Sequence, residues 1–264
     1  AIVDTGIDYN HEDLVNNIWI NKDEIPNNQK DDDGNGYIDD YYGINTLIRD
    51  GEGKATTDPM DKHGHGTHVA GIAGGSGTGI GLKGMAPAAE FLFATLMVDE
   101  SAALDAFDWM QSVAEADGKR LVINNSWGLP QWGTPDGSAL SNQFIDSMSG
   151  EGVIFVSSNG NNGDVDFHID HTFEEPGDTI RSRVKFYPLN ANPNTWGQNL
   201  TLWGEVGESF EMGFQLIAGV STVVGESPMY NTSDGPLILD AIEVVNNDTI
   251  IYDVVMEQSH PVNG

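Results

Sequence analysis

Short apolar runs that stop on a polar residue punctuate the first 160 residues of the chain. Ile2-Val3 ends on Asp4, Leu121-Val122-Ile123 on Asn124, and Val153-Ile154-Phe155-Val156 on Ser157, with a further strand expected over 90–97. The segments between them carry apolar residues at helical spacing. Leu104, Phe107, Trp109, Met110 and Val113 predict a helix over 102–116, with Gly118 where a helix stop belongs. A second helix is expected over 138–149, and the run Val69-Ala70-Gly71-Ile72-Ala73-Gly74 reads as a closely packed one. Residues 43–62 are polar and read as a surface loop; the glycine-rich stretch 74–81 reads as a connection. Strand-helix alternation of this kind implies α/β architecture, a parallel sheet with helices on both faces.

The period changes after Gly163. Val165, Phe167 and Ile169 alternate with Asp166, His168 and Asp170, and similar runs recur over 180–187, 200–206, 210–217, 220–224, 237–245 and 249–255, separated by turn residues. Roughly seven short strands without an intervening helix predict an all-β antiparallel sandwich. The expected organisation is therefore an α/β unit over 1–163 and a sandwich domain over 164–264, the latter an insertion.

Charge narrows the partners. Eleven basic residues stand against 41 acidic ones in 264, a formal charge of −30. Nucleic acids and anionic membranes are excluded as partners, because neutralising phosphates takes Lys and Arg. No apolar run approaches bilayer-spanning length, so membrane insertion is not expected. Cation binding suits this balance. The chain has no cysteine, which removes disulfide and thiol chemistry.

Three stretches carry candidate chemistry. His63-Gly64-His65-Gly66-Thr67-His68 concentrates three near-neutral titrating groups beside bare backbone. Asp4-Thr5-Gly6 puts a carboxylate at a strand's carboxyl end, where functional groups of open α/β sheets collect. Residues 30–41 place oxygens at Asp31, Asp33 and Asn35, glycines at 34 and 36, and two more acids at Asp39 and Asp40. Crowded acids repel unless a cation joins them, and Ca²⁺, taking about six to eight oxygens, fits best. The expected ligands are Asp31, Asp33, Asn35, the Tyr37 carbonyl, and Asp39 or Asp40. The spacing is EF-hand-like but has Tyr42 where the twelfth-position Glu belongs.

Taken in order, Asp4-Thr5-Gly6, His65-Gly66-Thr67-His68-Val69-Ala70-Gly71 and Gly160-Asn161 resemble the aspartate, histidine and oxyanion-asparagine motifs of the subtilisin-like serine proteases. Asn125-Ser126-Trp127-Gly128 is similar to the strand that pairs with substrate backbone, which assigns Ser126, Trp127 and Gly128 to substrate binding; Trp127 is bulkier than the family's usual residue. Gly84-Met85-Ala86-Pro87 also fits, and the acidic loop resembles a calcium site of some larger members. The resemblance covers 1–163. It implies that Asp4 orients His65, that His65 is the general base, and that Asn161 donates to the oxyanion. It implies an extracellular or cell-surface endopeptidase acting on peptide or protein substrates.

One departure is large. The family's Gly-Thr-Ser-Met-Ala nucleophile segment occurs nowhere in the 264 residues. The chain accordingly reads as a piece of a longer protease, inactive alone, with a truncated sheet edge open to self-association. Two alternatives stay open at this point. One is a non-catalytic scaffold on a degenerate protease fold. The other is a metallohydrolase in which His63, His65 and His68, with Asp61 nearby, could hold Zn²⁺.

Overall fold

The computed structural model describes residues 1–49, 55–56, 58–79, 81–96, 100–128, 137–161, 163, 168–184, 187–189, 192–197, 200–205, 207–245 and 248–256. They divide into two compact units, Ala1–Trp132 with Ser141–Arg181, and Gly133–Leu140 with Ser182–Gly264. Residues 168–181, expected beyond the boundary, group with the first unit. No helix among the described residues is long and apolar enough to cross a membrane.

The first unit is built on a sheet of β1 (Ile2–Asp4), β2 (Ile44–Arg49), β3 (Ala55–Thr56), β4 (Phe93–Thr95), β5 (Leu121–Asn125) and β6 (Val153–Ser157), in the order β3-β2-β4-β1-β5-β6. All strands but β3 run parallel, so the carboxyl ends of β4, β1, β5 and β6 lie along one margin. The arrangement is the expected parallel α/β sheet with helices on both faces. The strands β2 and β3 correct the surface loop expected over 43–62. Asn45 and Thr46 interrupt the apolar pattern there, yet Ile44 is fully buried and Thr46 donates to the Thr95 carbonyl at 2.7 Å. Tertiary pairing with β4 decides the conformation, overriding local composition.

Helix α2 (Glu100–Ala116) covers one face of the sheet. Ala102, Ala103, Ala106, Phe107, Trp109 and Met110 are buried with Val3, Ile44, Ala94, Leu121 and Ile123. Burying the large side chains contributes about 1.5–3 kcal/mol each. The helix stops where Gly118 adopts φ 63°. Its N–H bonds the Glu115 carbonyl and the Lys119 N–H bonds that of Ala114, a Schellman cap. Helix α3 (Leu140–Met148) adds Phe144, Ile145 and Met148 to the same core.

Helix α1 (His65–Gly74) lies on the opposite face, against Ile2, Ile7, Leu14, Phe91 and Phe93. Its contact stripe is Gly66, Ala70 and Gly74, four residues apart and therefore on one side. A Cβ on Gly66 would stand 2.1 Å from the Gly6 carbonyl oxygen, and one on Gly74 would meet the Phe91 ring at 2.5 Å. Small side chains let this helix backbone rest almost directly on the end of β1.

From Ser182 on, the described residues of the second unit are strands and connections, with one short 3-10 turn at Thr232–Asp234. Its strands pair in antiparallel twos: β7 (Tyr187–Leu189) with β8 (Asn192–Gly197), β9 (Glu211–Met212) with β12 (Tyr230–Asn231), β10 (Gln215–Ala218) with β11 (Thr222–Glu226), and β13 (Leu237–Val245) with β14 (Asp248–Met256). The runs expected over 237–245 and 249–255 are the nine-pair ladder β13–β14. Those expected over 180–184 and 200–205 are not strands, and the start of the run at Val165 lies outside the described residues. Ile217, Val220, Val223, Ile238, Ile251 and Val255 are exposed. The described residues of this unit form small two-stranded antiparallel sheets.

Candidate active site

The site is assembled where β1 ends under the first turn of α1. Asp4, the last residue of β1, is 3% exposed. Its Oδ1 accepts the Thr5 N–H at 2.7 Å and lies 2.7 Å from His65 Nδ1. A carboxylate can only accept, so the proton of this contact is on Nδ1, which leaves Nε2 as the nitrogen that can take up a proton. The His65 side chain is 45% exposed, which leaves Nε2 open to exchange protons. A buried acid thus sets the tautomer and plane of a half-exposed imidazole, an arrangement suited to general-base catalysis.

Asp61 holds the histidine helix in place. Its Oδ1 accepts from the backbone of His63 (2.9 Å) and Gly64 (2.8 Å) and from the Thr5 hydroxyl (3.1 Å). Its Oδ2 accepts from the Thr67 N–H (3.0 Å) and hydroxyl (2.7 Å). Burial pushes its carboxyl upward, but the bonds from Gly64 and Thr67 outweigh that and hold it at about 2. The carboxylate thus caps the Thr67 N–H in the first turn of α1 and holds the two residues that lead into it, where the helix dipole also favours a negative charge. The Thr67 hydroxyl accepts from the Asp8 N–H and the Thr5 hydroxyl from the Gly66 N–H, tying both motifs together.

Among the described residues His63, His65, His68 and Asp61 do not gather as a shared metal group. His65 Nδ1 is engaged by Asp4, Asp61 is saturated by N–H and O–H donors, and the His63 and His65 rings are 6.4 Å apart. Among the described residues the only acidic or histidine group close enough to share a metal is Glu24, Asp31 and Asp33.

Ser126, Trp127 and Gly128 follow directly on β5. The Trp127 indole donates to the Val3 carbonyl at 3.0 Å, its carbonyl accepts from the Ser158 hydroxyl at 3.2 Å, and Ser126 Oγ accepts from Asn124 Nδ2 at 2.9 Å. Bulky Trp127 therefore braces β5 against β1. Asn161 lies four residues past β6, exposed, in the loop at the same sheet margin.

The acidic loop folds around Glu24, a residue that sequence reasoning passed over. Glu24 is 4% exposed; its Oε1 accepts the N–H groups of Asp32 (2.7 Å) and Asp33 (3.2 Å), and its Oε2 has no partner. One oxygen each from Glu24, Asp31 and Asp33 lie within 4.8 Å of one another. Asp40 is buried beneath, accepting from Trp109 Nε1, Asn21 Nδ2 and Asn35 Nδ2 at 2.9, 2.6 and 2.9 Å. Burial raises the carboxyls of Glu24 and Asp40 despite these bonds. Asp39 is turned aside, its two oxygens accepting from the N–H groups of Asn28 and Gln29, and the Tyr37 N–H is bonded to Asn35 Oδ1. A hard, oxygen-seeking cation fits this donor set: three carboxylates converge, one is desolvated, and one of its oxygens is unpartnered.

A family model described as the subtilase family matches residues 1–197. The chain belongs to the subtilase family. Subtilisin-like protease 1 of Plasmodium berghei is 32% identical over 164 residues, 61% of this subtilase and 25% of that protein. Minor extracellular protease Vpr of Bacillus subtilis (strain 168) is 32% identical over 168 residues, 62% of this subtilase and 17% of that protein. A solved structure, the S41 psychrophilic protease, is 27% identical with a TM-score of 0.45, covering 61% of this chain and 45% of that one. This subtilase thus spans a quarter or less of the two curated relatives.

Proposed function

We propose that the chain supplies the acid–base half of a subtilisin-type serine endopeptidase. The observation that carries this reading is the 2.7 Å contact between buried Asp4 Oδ1 and His65 Nδ1. In the proposed mechanism His65 Nε2 takes the proton of a serine hydroxyl as it attacks the substrate carbonyl. Asp4 stabilises the imidazolium that forms without itself being protonated. Asn161 donates its side-chain N–H to the tetrahedral oxyanion, and Ser126, Trp127 and Gly128 offer backbone to an extended substrate. His65 then returns the proton to the leaving amine.

A base with nothing to activate does not turn over. The 264 residues contain no Gly-Thr-Ser-Met-Ala segment, so the chain by itself is inactive. Ca²⁺, held by Glu24, Asp31 and Asp33 with Asn35 and Asp40 in support, fastens the acidic loop and has no step in the chemistry. The second unit is an insertion of the sandwich class, and the endopeptidase works outside the cell. Val122, Ile154 and Val156, 51%, 58% and 48% exposed on one face of β5 and the edge strand β6, support self-association along that margin.

A serine-directed phosphonate and a peptidase assay test the proposal. The 264-residue chain is expected to show neither labelling nor turnover, while a form extended by a Gly-Thr-Ser segment shows both. Labelling of the 264-residue chain would reveal a nucleophile within it; a silent extended form would make the protein a scaffold.

A further inference from the structure

Asp4 has a second oxygen that the Asp–His contact does not use. Oδ1 accepts from both the Thr5 N–H and His65, whereas Oδ2 is buried and has no hydrogen-bond partner. An anionic oxygen without a donor is costly to bury. Next to it stands a second solitary group. Thr95, the last residue of β4, is 5% exposed, and its Oγ1 is also buried without a partner.

The ladder sets these two groups side by side. Asp4 and Thr95 are register partners in the parallel β1–β4 pair, preceded two residues earlier by Ile2 and Phe93. In-register neighbours project to the same face, and adjacent strands are only about 4.8 Å apart. Ile2 and Phe93 share one core cluster beneath α1, so Asp4 and Thr95 point to that same helix. The peptides are pinned: the Leu96 N–H bonds the Asp4 carbonyl at 2.7 Å, and the Thr95 carbonyl accepts from the Thr46 hydroxyl at 2.7 Å. Rotation about Thr95 χ1 moves the hydroxyl among staggered wells while the backbone stays where it is.

We propose that Thr95 is a positioning residue for the general-base pair, its hydroxyl donating to Asp4 Oδ2. This rests on the reading of Asp4 and His65 given above. The hydroxyl fixes the plane of the carboxylate from the side opposite the Thr5 N–H. It thereby aims Oδ1 at the imidazole. The Asp4 carboxylate then has a donor on each oxygen, and both stranded atoms are satisfied by each other.

Thr95→Val, which keeps the shape and removes the donor, separates this from a purely structural role. An unused buried hydroxyl is better replaced by methyl, so a Thr95 without a partner predicts unchanged or raised thermal stability. The proposal predicts a fall of several degrees, recovered by Thr95→Ser. The second readout is the downfield proton resonance of His65 Nδ1–H, identified by its loss in Asp4→Asn. It should shift in Thr95→Val and return in Thr95→Ser. An unmoved resonance with undiminished stability overturns the proposal while leaving the Asp4–His65 pair intact. Absence of that resonance in the unaltered protein would instead count against the pair itself.

Discussion

Replacing Asp61 by Asn asks whether the histidine helix is held by a charged cap. Asp61 accepts five hydrogen bonds across its two oxygens, four of them from residues 63–67. Asn retains one acceptor oxygen, so at least two of these bonds and the favourable charge at the helix start are lost. Losing a cap costs about 0.5–2 kcal/mol and a charged acceptor at a helix N-terminus adds a few tenths more. Because Asp61 is only partly buried, about 2 kcal/mol is the expected total, or about 5 °C in melting temperature for a chain of this size. The pH dependence is the sharper signature. The carboxyl is depressed from 3.8 in the unfolded chain to about 2 in the fold. A depressed carboxyl stabilises the fold fully above its unfolded value and loses that contribution as pH falls through its folded value. Urea unfolding of both proteins at pH 6, 4 and 3 should therefore show a gap that is widest at pH 6 and closes toward pH 2–3. A gap of constant size across that range, or none at pH 6, would refute the charged cap.

Gly66→Ala should be among the most damaging single-methyl changes, because the new Cβ meets the Gly6 carbonyl at 2.1 Å and Asp4 Cβ at 3.1 Å, with no flexible side chain to yield. A loss of about 3 kcal/mol in chemical denaturation is expected, together with loss of the His65 Nδ1–H resonance; a variant as stable as the parent would contradict the close approach of α1. Added Ca²⁺ should raise the melting temperature by mass action, and Glu24→Gln should abolish most of that rise; identical melting in Ca²⁺ and in chelator would eliminate the site. Ile154→Glu, on the exposed face of the edge strand, should shift sedimentation toward monomer, and an unchanged association state would move the interface elsewhere.

The legible parts of this chain were those whose pattern is local. The helix over 102–116 carries its own period and its own glycine stop, and α2 spans Glu100–Ala116. The strand ends at Asp4 and Ser157 follow from apolar runs that halt abruptly, and β5 runs one residue past the expected stop at Asn124. What escaped depends on distant partners. Ile44–Arg49 is a strand because β4 pairs with it, although its own polar interruptions argue for a loop. Glu24 looks like an ordinary surface acid, and Asp61 reads only as a neighbour of the three histidines. Glu24 joins Asp31 and Asp33 only once the loop returns on itself, and Asp61 matters because the chain turns into a helix just after it. A Glu seven residues before an acidic glycine loop, and an Asp four before a helical histidine, are the signals that were available.

The central claim is that His65, oriented by Asp4, is the general base of a serine endopeptidase. The most direct measurement is the peptidase rate of a Gly-Thr-Ser-extended form with and without His65→Ala. The account predicts a fall in kcat of about a thousandfold or more with KM little changed, and no response of the parent activity to a zinc chelator. A His65→Ala protein that keeps its kcat, or a parent whose activity vanishes on removing zinc, would contradict it.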